Sequence, residues 1–127
     1  MDVYFLDTNI LLRFFIQDNQ TQFNKAKSYF SQARQRKIKL VLIPQIIIEF
    51  EYVLRKVYEQ PKSFIYVQLK KIVNLTYIEL RDQKIMRATI QIYKQFSIDF
   101  IDAYLFVTAD QEFASVLSFD KDFKKIK

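Results

Sequence analysis

The chain contains no glycine, no cysteine and no histidine. Without cysteine there is no disulfide framework and no thiolate metal site, and nothing in the sequence calls for an oxidising compartment. Without histidine, Ser-His and Cys-His catalysis, imidazole acid–base transfer and histidine metal ligation all drop out. Without glycine, a Gly-rich phosphate loop is excluded, together with the usual nucleotide-binding fingerprints. The same lack predicts that turns needing positive φ use Asn or Asp, or are avoided. Long apolar runs are missing too, and none approaches the length of a membrane span. The opening Met1-Asp2-Val3-Tyr4-Phe5-Leu6-Asp7 has no basic stretch ahead of an apolar one, so no signal peptide is expected. A cytoplasmic protein with no membrane partner is the resulting expectation.

What the sequence does contain suffices for one core. The 127 residues, half of them hydrophobic and 17% aromatic, fit a single domain spanning 1–127. Chemistry at neutral pH is left to carboxylates, lysines, tyrosines, hydroxyls or a bound hard metal. The net charge of +6 suits a polyanionic partner such as nucleic acid, although a solvated lysine-rich surface accounts for it equally well.

Hydrophobic periodicity gives an alternation of strands and helices. Residues 3–6 read as a buried strand, and Asp7-Thr8-Asn9 brings helix-cap chemistry to its end. A short apolar helix follows over 10–16. An amphipathic one spans 21–36, with Phe23, Ala26, Tyr29, Phe30 and Ala33 on one face. A second strand covers 39–43. Pro44 suits the first turn of a helix lasting to about Tyr58, and Pro61 opens another to about Val73. Residues 76–80 alternate as a third strand, helices run over 82–96 and 97–113, and 115–119 read as a last strand before a helical turn at 121–126. Such alternation argues for a parallel sheet covered by helices on both faces. Functional residues then gather beyond the carboxyl ends of the strands.

Five acids fall where that rule points. Asp7 follows the first strand and Asp120 the last, and either could simply cap the helix behind it. Asp99 and Asp102 stand three apart at a helix start, on one face, where like charges repel unless a cation lies between them. A cap and a favourable helix dipole account for Asp99 well. They account less well for Asp102, set among Ile101, Ala103, Tyr104 and Leu105. Glu49 interrupts Ile46-Ile47-Ile48-Glu49-Phe50 and is expected to be partly buried, which is costly unless it is paired or metal-bound. A salt bridge to Arg55 or Lys56 is its plain alternative. Glu51, about 200° further round the helix, reads as solvent-facing. Oxygen-only ligands suit Mg²⁺ or Mn²⁺ rather than zinc, and the reaction such a set most naturally serves is hydrolysis of a phosphodiester.

Four segments also resemble a known family. Leu6-Asp7-Thr8-Asn9-Ile10-Leu11-Leu12-Arg13 is similar to the opening signature of PIN-domain nucleases. Ile43-Pro44 with Glu49 and Val53-Leu54-Arg55 is similar to the second motif, and Asp99-Phe100-Ile101-Asp102-Ala103 to the third. Ser118-Phe119-Asp120-Lys121-Asp122-Phe123 is similar to the fourth. Each is weak alone, but together, in order and over nearly the whole chain, they are a strong signal.

Within that family the short members resemble VapC-type toxins of toxin–antitoxin pairs. The resemblance implies a PIN-like three-layer α/β sandwich with a mostly parallel, five-stranded (four to five) sheet and helices on both faces. It also implies a homodimer, Mg²⁺- or Mn²⁺-dependent endonuclease activity on RNA that leaves a 5′-phosphate, and a cognate antitoxin protein. Asp7, Glu49 and Asp102 carry over as core metal ligands and catalytic acids, Asp99 and Asp120 as additional ones, and Thr8 and Asn9 as groups that orient Asp7. One departure concerns a glycine that family members often place roughly where Glu112 to Ser115 stand here, which bears on the geometry of that turn.

Other functions fit less well. A non-catalytic PIN-like module binding RNA or protein usually lacks some of the acids, and all are retained here. A PIN nuclease of RNA processing, unrelated to toxin–antitoxin pairs, shares every motif. A phosphatase with Asp7 as nucleophile generally needs a second acid two residues on, where Asn9 stands. Arg13 and the basic tail of Lys121, Lys124, Lys125 and Lys127 could hold RNA phosphates or merely face solvent.

Overall fold

The computed structural model describes residues 1–126, so Lys127 of the basic tail lies outside the described residues. The chain divides into two units, Met1–Arg81 and Asp82–Lys127.

The first unit is α/β. Strands β1 (Asp2–Phe5), β2 (Ile38–Leu42) and β3 (Glu79–Leu80) form a parallel sheet in the order β1-β2-β3. Tyr4 stands opposite Leu40, and Leu42 opposite Leu80. The ladder continues past the strand ends, where Leu6 N–H donates to Val41 O at 2.9 Å and Arg81 N–H to Leu42 O at 3.0 Å. Helices α1 (Thr8–Ile16) and α2 (Gln20–Arg34) join β1 to β2. Helices α3 (Pro44–Lys56) and α4 (Lys62–Val73) join β2 to β3. Asn19 caps α2 by accepting from Gln22 N–H, and Pro44 opens α3 at a position whose N–H would be unsatisfied in any case.

The core of this unit lies along β2 and the inner faces of α1 to α4. Leu40, Val41 and Leu42 are buried with Leu11, Phe30, Ile47, Phe50, Leu54, Ile65 and Leu69. β1 departs from the buried strand expected at 3–6. All of Asp2–Phe5 is exposed, and only Leu6 beyond it is buried. β1 is the edge of the sheet, so its neighbour β2 takes the central, covered position.

The second unit holds α5 (Gln83–Gln95), α6 (Phe100–Gln111) and a closing 3₁₀ turn, Lys121–Lys125. α5 and α6 pack together through Met86, Ile90, Tyr93, Phe100, Ala103 and Val107, with the Tyr93 and Phe100 rings edge-on at 5.2 Å.

The strand expected at 115–119 does not form. Among the described residues the sheet has three strands, not four or five. A strand exists only where its backbone groups find a ladder. At 118–120 they turn locally instead, with Asp120 N–H donating to the Ser118 hydroxyl at 2.9 Å. The apolar side chains of Leu117 and Phe119 stand fully exposed as a result.

The absence of glycine is met differently from expectation. Positive φ occurs at Gln17, Arg36, Glu59, Asp82 and Phe113, of which only Asp82 is an Asn or Asp. Four of the five follow helix ends, the position glycine usually fills, and each left-handed residue costs about 1 kcal/mol. Phe113, at φ 56°, falls within the stretch where family members often carry a glycine. Among the described residues no helix is long and apolar enough to cross a membrane.

Candidate metal centre

The parallel ladder brings Asp7 to the carboxyl edge of the sheet, directly after β1. Asp7 is exposed and caps α1, its Oδ1 accepting from Thr8 N–H at 2.8 Å. Capping is the plain alternative for this residue, and it holds; the second carboxylate oxygen remains available. The orienting contact comes from the Thr8 backbone rather than its hydroxyl. Thr8 Oγ1 is buried with no hydrogen-bond partner among the described residues, and Asn9 is exposed.

Glu49 and Glu51 exchange the places expected of them. Glu49 is exposed, whereas Glu51 is 2% exposed and pairs with Arg55, Oε2 accepting from Nε at 2.9 Å. The physical reason is the helix period. Ile47, Phe50 and Leu54 define the buried face, and position 51 completes the i, i+3, i+4, i+7 set. Glu49 lies about 200° away and faces out. The salt bridge offered for Glu49 thus belongs to Glu51, and Glu49 stands as a site candidate on its motif alone.

In the second unit Asp102 is the central group. It is half-buried in the first turn of α6. Its carboxyl is pushed above the ordinary aspartate range, first by desolvation and then by the negative charges of Asp99, Asp120 and Asp122. Asp99 occupies the N-cap position of α6, yet its side chain makes no capping bond, so a cap does not explain its carboxylate. Asp120 caps the 3₁₀ turn, Oδ1 accepting from Asp122 N–H at 2.9 Å. Asp122 is ion-paired with Lys125 at 2.9 Å, and Lys125 also donates to Ser97 O at 3.2 Å. Asp122 is not among the five acids that the sequence singles out. Its spacing of two from Asp120, across a turn too short to separate them, is the signal that points to it.

Arg13 is committed elsewhere. Its guanidinium reaches Asp18 and the Tyr58 hydroxyl, each at 3.1 Å, and also Gln22.

Among the described residues no three acidic side chains stand close enough together to hold a metal ion. The donor chemistry nevertheless fits a hard divalent cation. Every candidate is a carboxylate, and Asp102 lies in a field of like charge that a cation would relieve.

Residues 4–127 match the PIN domain family, and the chain belongs to it. Among curated proteins it is similar to a VapC ribonuclease of Aquifex aeolicus (strain VF5), 27% identical over 122 residues that cover 95% of this chain and 90% of that protein. No solved structure matches the chain.

Proposed function

We propose that the chain is a divalent-metal-dependent endoribonuclease, the toxin of a type II toxin–antitoxin pair, with Asp7, Glu49, Asp99, Asp102 and Asp120 holding Mg²⁺ or Mn²⁺. The observation that carries this is Asp102, whose half-buried carboxyl is pushed up by desolvation and by the negative charges of Asp99, Asp120 and Asp122, in a chain similar to a VapC ribonuclease. The family match runs through both units, which supports their acting as one PIN domain.

A divalent ion, when bound, would supply an acidified water and neutralise charge on the scissile phosphate. The chain's own part is positioning. Thr8 N–H fixes one oxygen of Asp7 and leaves the other to a ligand. The fold of α6 around Phe100 and Ala103, both fully buried, fixes Asp102 on a rigid turn. Asp120 is held by Asp122 N–H, so it enters with its orientation set. Because histidine is absent, a metal-free route through a cyclic phosphate lacks its usual acid and base. A cognate antitoxin, a homodimer and a cytoplasmic location accompany this proposal through the VapC likeness.

The test is cleavage of end-labelled structured RNA with Mg²⁺, with Mn²⁺ and with EDTA, using Asp7→Asn and Asp102→Asn as controls. Internal cuts that EDTA and both substitutions abolish support the nuclease. Cuts that persist in either variant contradict it. The one observation favouring a binding-only PIN module is the lack of a close group of three acids among the described residues. RNA or protein binding with no cutting in any metal would be its result. A small open reading frame immediately upstream separates a toxin from an RNA-processing nuclease.

A further inference from the structure

We propose that the first unit carries a second nucleic-acid site, away from the carboxylates, which anchors a nucleotide of single-stranded RNA with its base against aromatic rings and its phosphate on surrounding cations. The choice of RNA over another planar anion rests on the nuclease proposal; the site itself rests on the geometry that follows.

A cavity of about 350 Å³ opens among the ends of α1, α2 and α4 and the approach to β3. That volume lies within the range of small-ligand pockets. Its floor is aromatic. Phe14 stacks on Phe30 with ring centroids 4.1 Å apart, and lies nearly parallel to Phe23 at 6.0 Å. Phe30 belongs to the core, but Phe14, Phe23 and Tyr77 are only half-buried and keep ring surface open.

The cavity's charge is of one sign. Lys27, Arg34 and Lys71 line it, all three exposed, and none of the lining residues described is acidic. The Arg34 guanidinium lies 4.9 Å from the centre of the Tyr77 ring, and the Lys27 ammonium 6.0 Å from that of Phe23. Among the described residues these three cations form no ion pair. Lys39, by contrast, is ion-paired with Glu79 at 2.6 Å.

Arg34 and Tyr77 also line a second cavity of about 690 Å³, which continues along the amino ends of β2 and β3 past Arg36 and the ion-paired Lys39 and Glu79. The two cavities thus form one track with a shared aromatic–guanidinium step. Aromatic surfaces beside cations suit single-stranded nucleic acid, because every base has a π-face and every nucleotide a phosphate. An acidic peptide would use the cations and leave the rings idle. The track borders the amino edge of the sheet, while Asp7 and Glu49 follow its carboxyl edge. One strand length, roughly 15 Å, therefore separates anchor from acids.

The test is fluorescence anisotropy of a labelled single-stranded oligoribonucleotide with the full chain in EDTA over a salt series, so that cutting does not intervene. Tyr77→Leu should weaken binding about tenfold, and Tyr77→Phe should bind as wild type. Arg34→Gln with Lys71→Gln should weaken binding and flatten the salt dependence, by about 0.7 in logarithmic slope for each phosphate no longer held. Both positions of that double variant are exposed, so the fold is expected to survive; equal thermal melting checks it. Crosslinks from 4-thiouridine should map to Tyr77 or Phe23. Wild-type affinity in Tyr77→Leu, absence of binding, or equal competition by polyglutamate would each overturn the anchor, the last marking an acidic-protein or plain polyanion surface. Metal-dependent cutting alongside an unaffected Tyr77→Leu removes the anchor alone. Tyr77-dependent binding without cutting removes the nuclease alone.

Discussion

Helix α3 and the start of α6 each take a carboxylate out of full solvent, and they do so to opposite ends. Glu51 is almost completely buried, and Arg55 one turn on supplies the opposite charge at 2.9 Å. Asp102 is only half-buried, and the charges acting on its carboxyl come from Asp99, Asp120 and Asp122, all of its own sign. Burial alone therefore does not mark a functional acid. Glu51 has its partner within the chain and serves the fold, whereas the carboxyl of Asp102 is raised by desolvation and like charge, which a bound cation or a proton would relieve.

The sharpest way to break this comparison is to neutralise each acid and measure cutting. Asp102→Asn should lower RNA cleavage by at least about 100-fold, since disturbing even the residues behind a metal ligand typically costs 10–100-fold. Glu51→Gln should leave the cleavage rate per folded molecule unchanged. Stability should respond the other way. Glu51→Ala should cost about 2 kcal/mol in a urea melt, below the usual figure for a broken buried pair because Arg55 is one-third exposed.

A third prediction follows from the raised carboxyl of Asp102. A folded-state pKa above the unfolded value means that the charged form destabilises the native state once pH exceeds it. In EDTA, Asp102→Asn should then melt higher than wild type at pH 7. The gain should fade as pH falls below the ordinary aspartate range, where wild type is protonated in both states. Added Mg²⁺ should raise the wild-type melting temperature at pH 7 and leave Asp102→Asn unmoved. The smallest effect concerns the far end of the Asp102 helix. Phe113→Gly relieves a left-handed residue with a fully exposed ring and should stabilise by about 0.5–1 kcal/mol in the same melts, without altering cleavage.

Much of the first unit is legible in the sequence. Local chemistry gives helix starts, as at Asp7 and Pro44, and the pattern of apolar residues gives the order of three strands. What the sequence leaves open depends on partners that it does not name. Residues 3–6 and 115–119 both read as strands, although the second carries two serines. The first finds β2 and becomes an exposed edge strand, while the second makes a side-chain turn at Ser118 and Asp120. Glu49 and Glu51 trade places because Ile46 to Ile48 look uniformly apolar. Counting i, i+3, i+4 from Ile47 places Glu51 inward, and Arg55 at i+4 is visible in the sequence as its partner. Left-handed Gln17, Arg36, Glu59 and Phe113 lie beyond residue preference, since a chain without glycine must close its helices with whatever stands there. The sequence groups Asp99, Asp102 and Asp120 through their motifs, while Asp122, two residues past Asp120 in the fourth motif, is left out of that group and is ion-paired with Lys125.

The central proposal is that Asp102 and the acids named with it bind divalent metal. Its most direct test is titration of the ¹⁵N-labelled full chain with Mn²⁺, reading paramagnetic broadening of backbone amides by NMR. The account predicts broadening centred on Asp99, Asp102 and Asp120 together with Asp7 and Glu49, and its loss in Asp102→Asn. Broadening that spares Asp7 and Glu49, or that persists unchanged in Asp102→Asn, would contradict it.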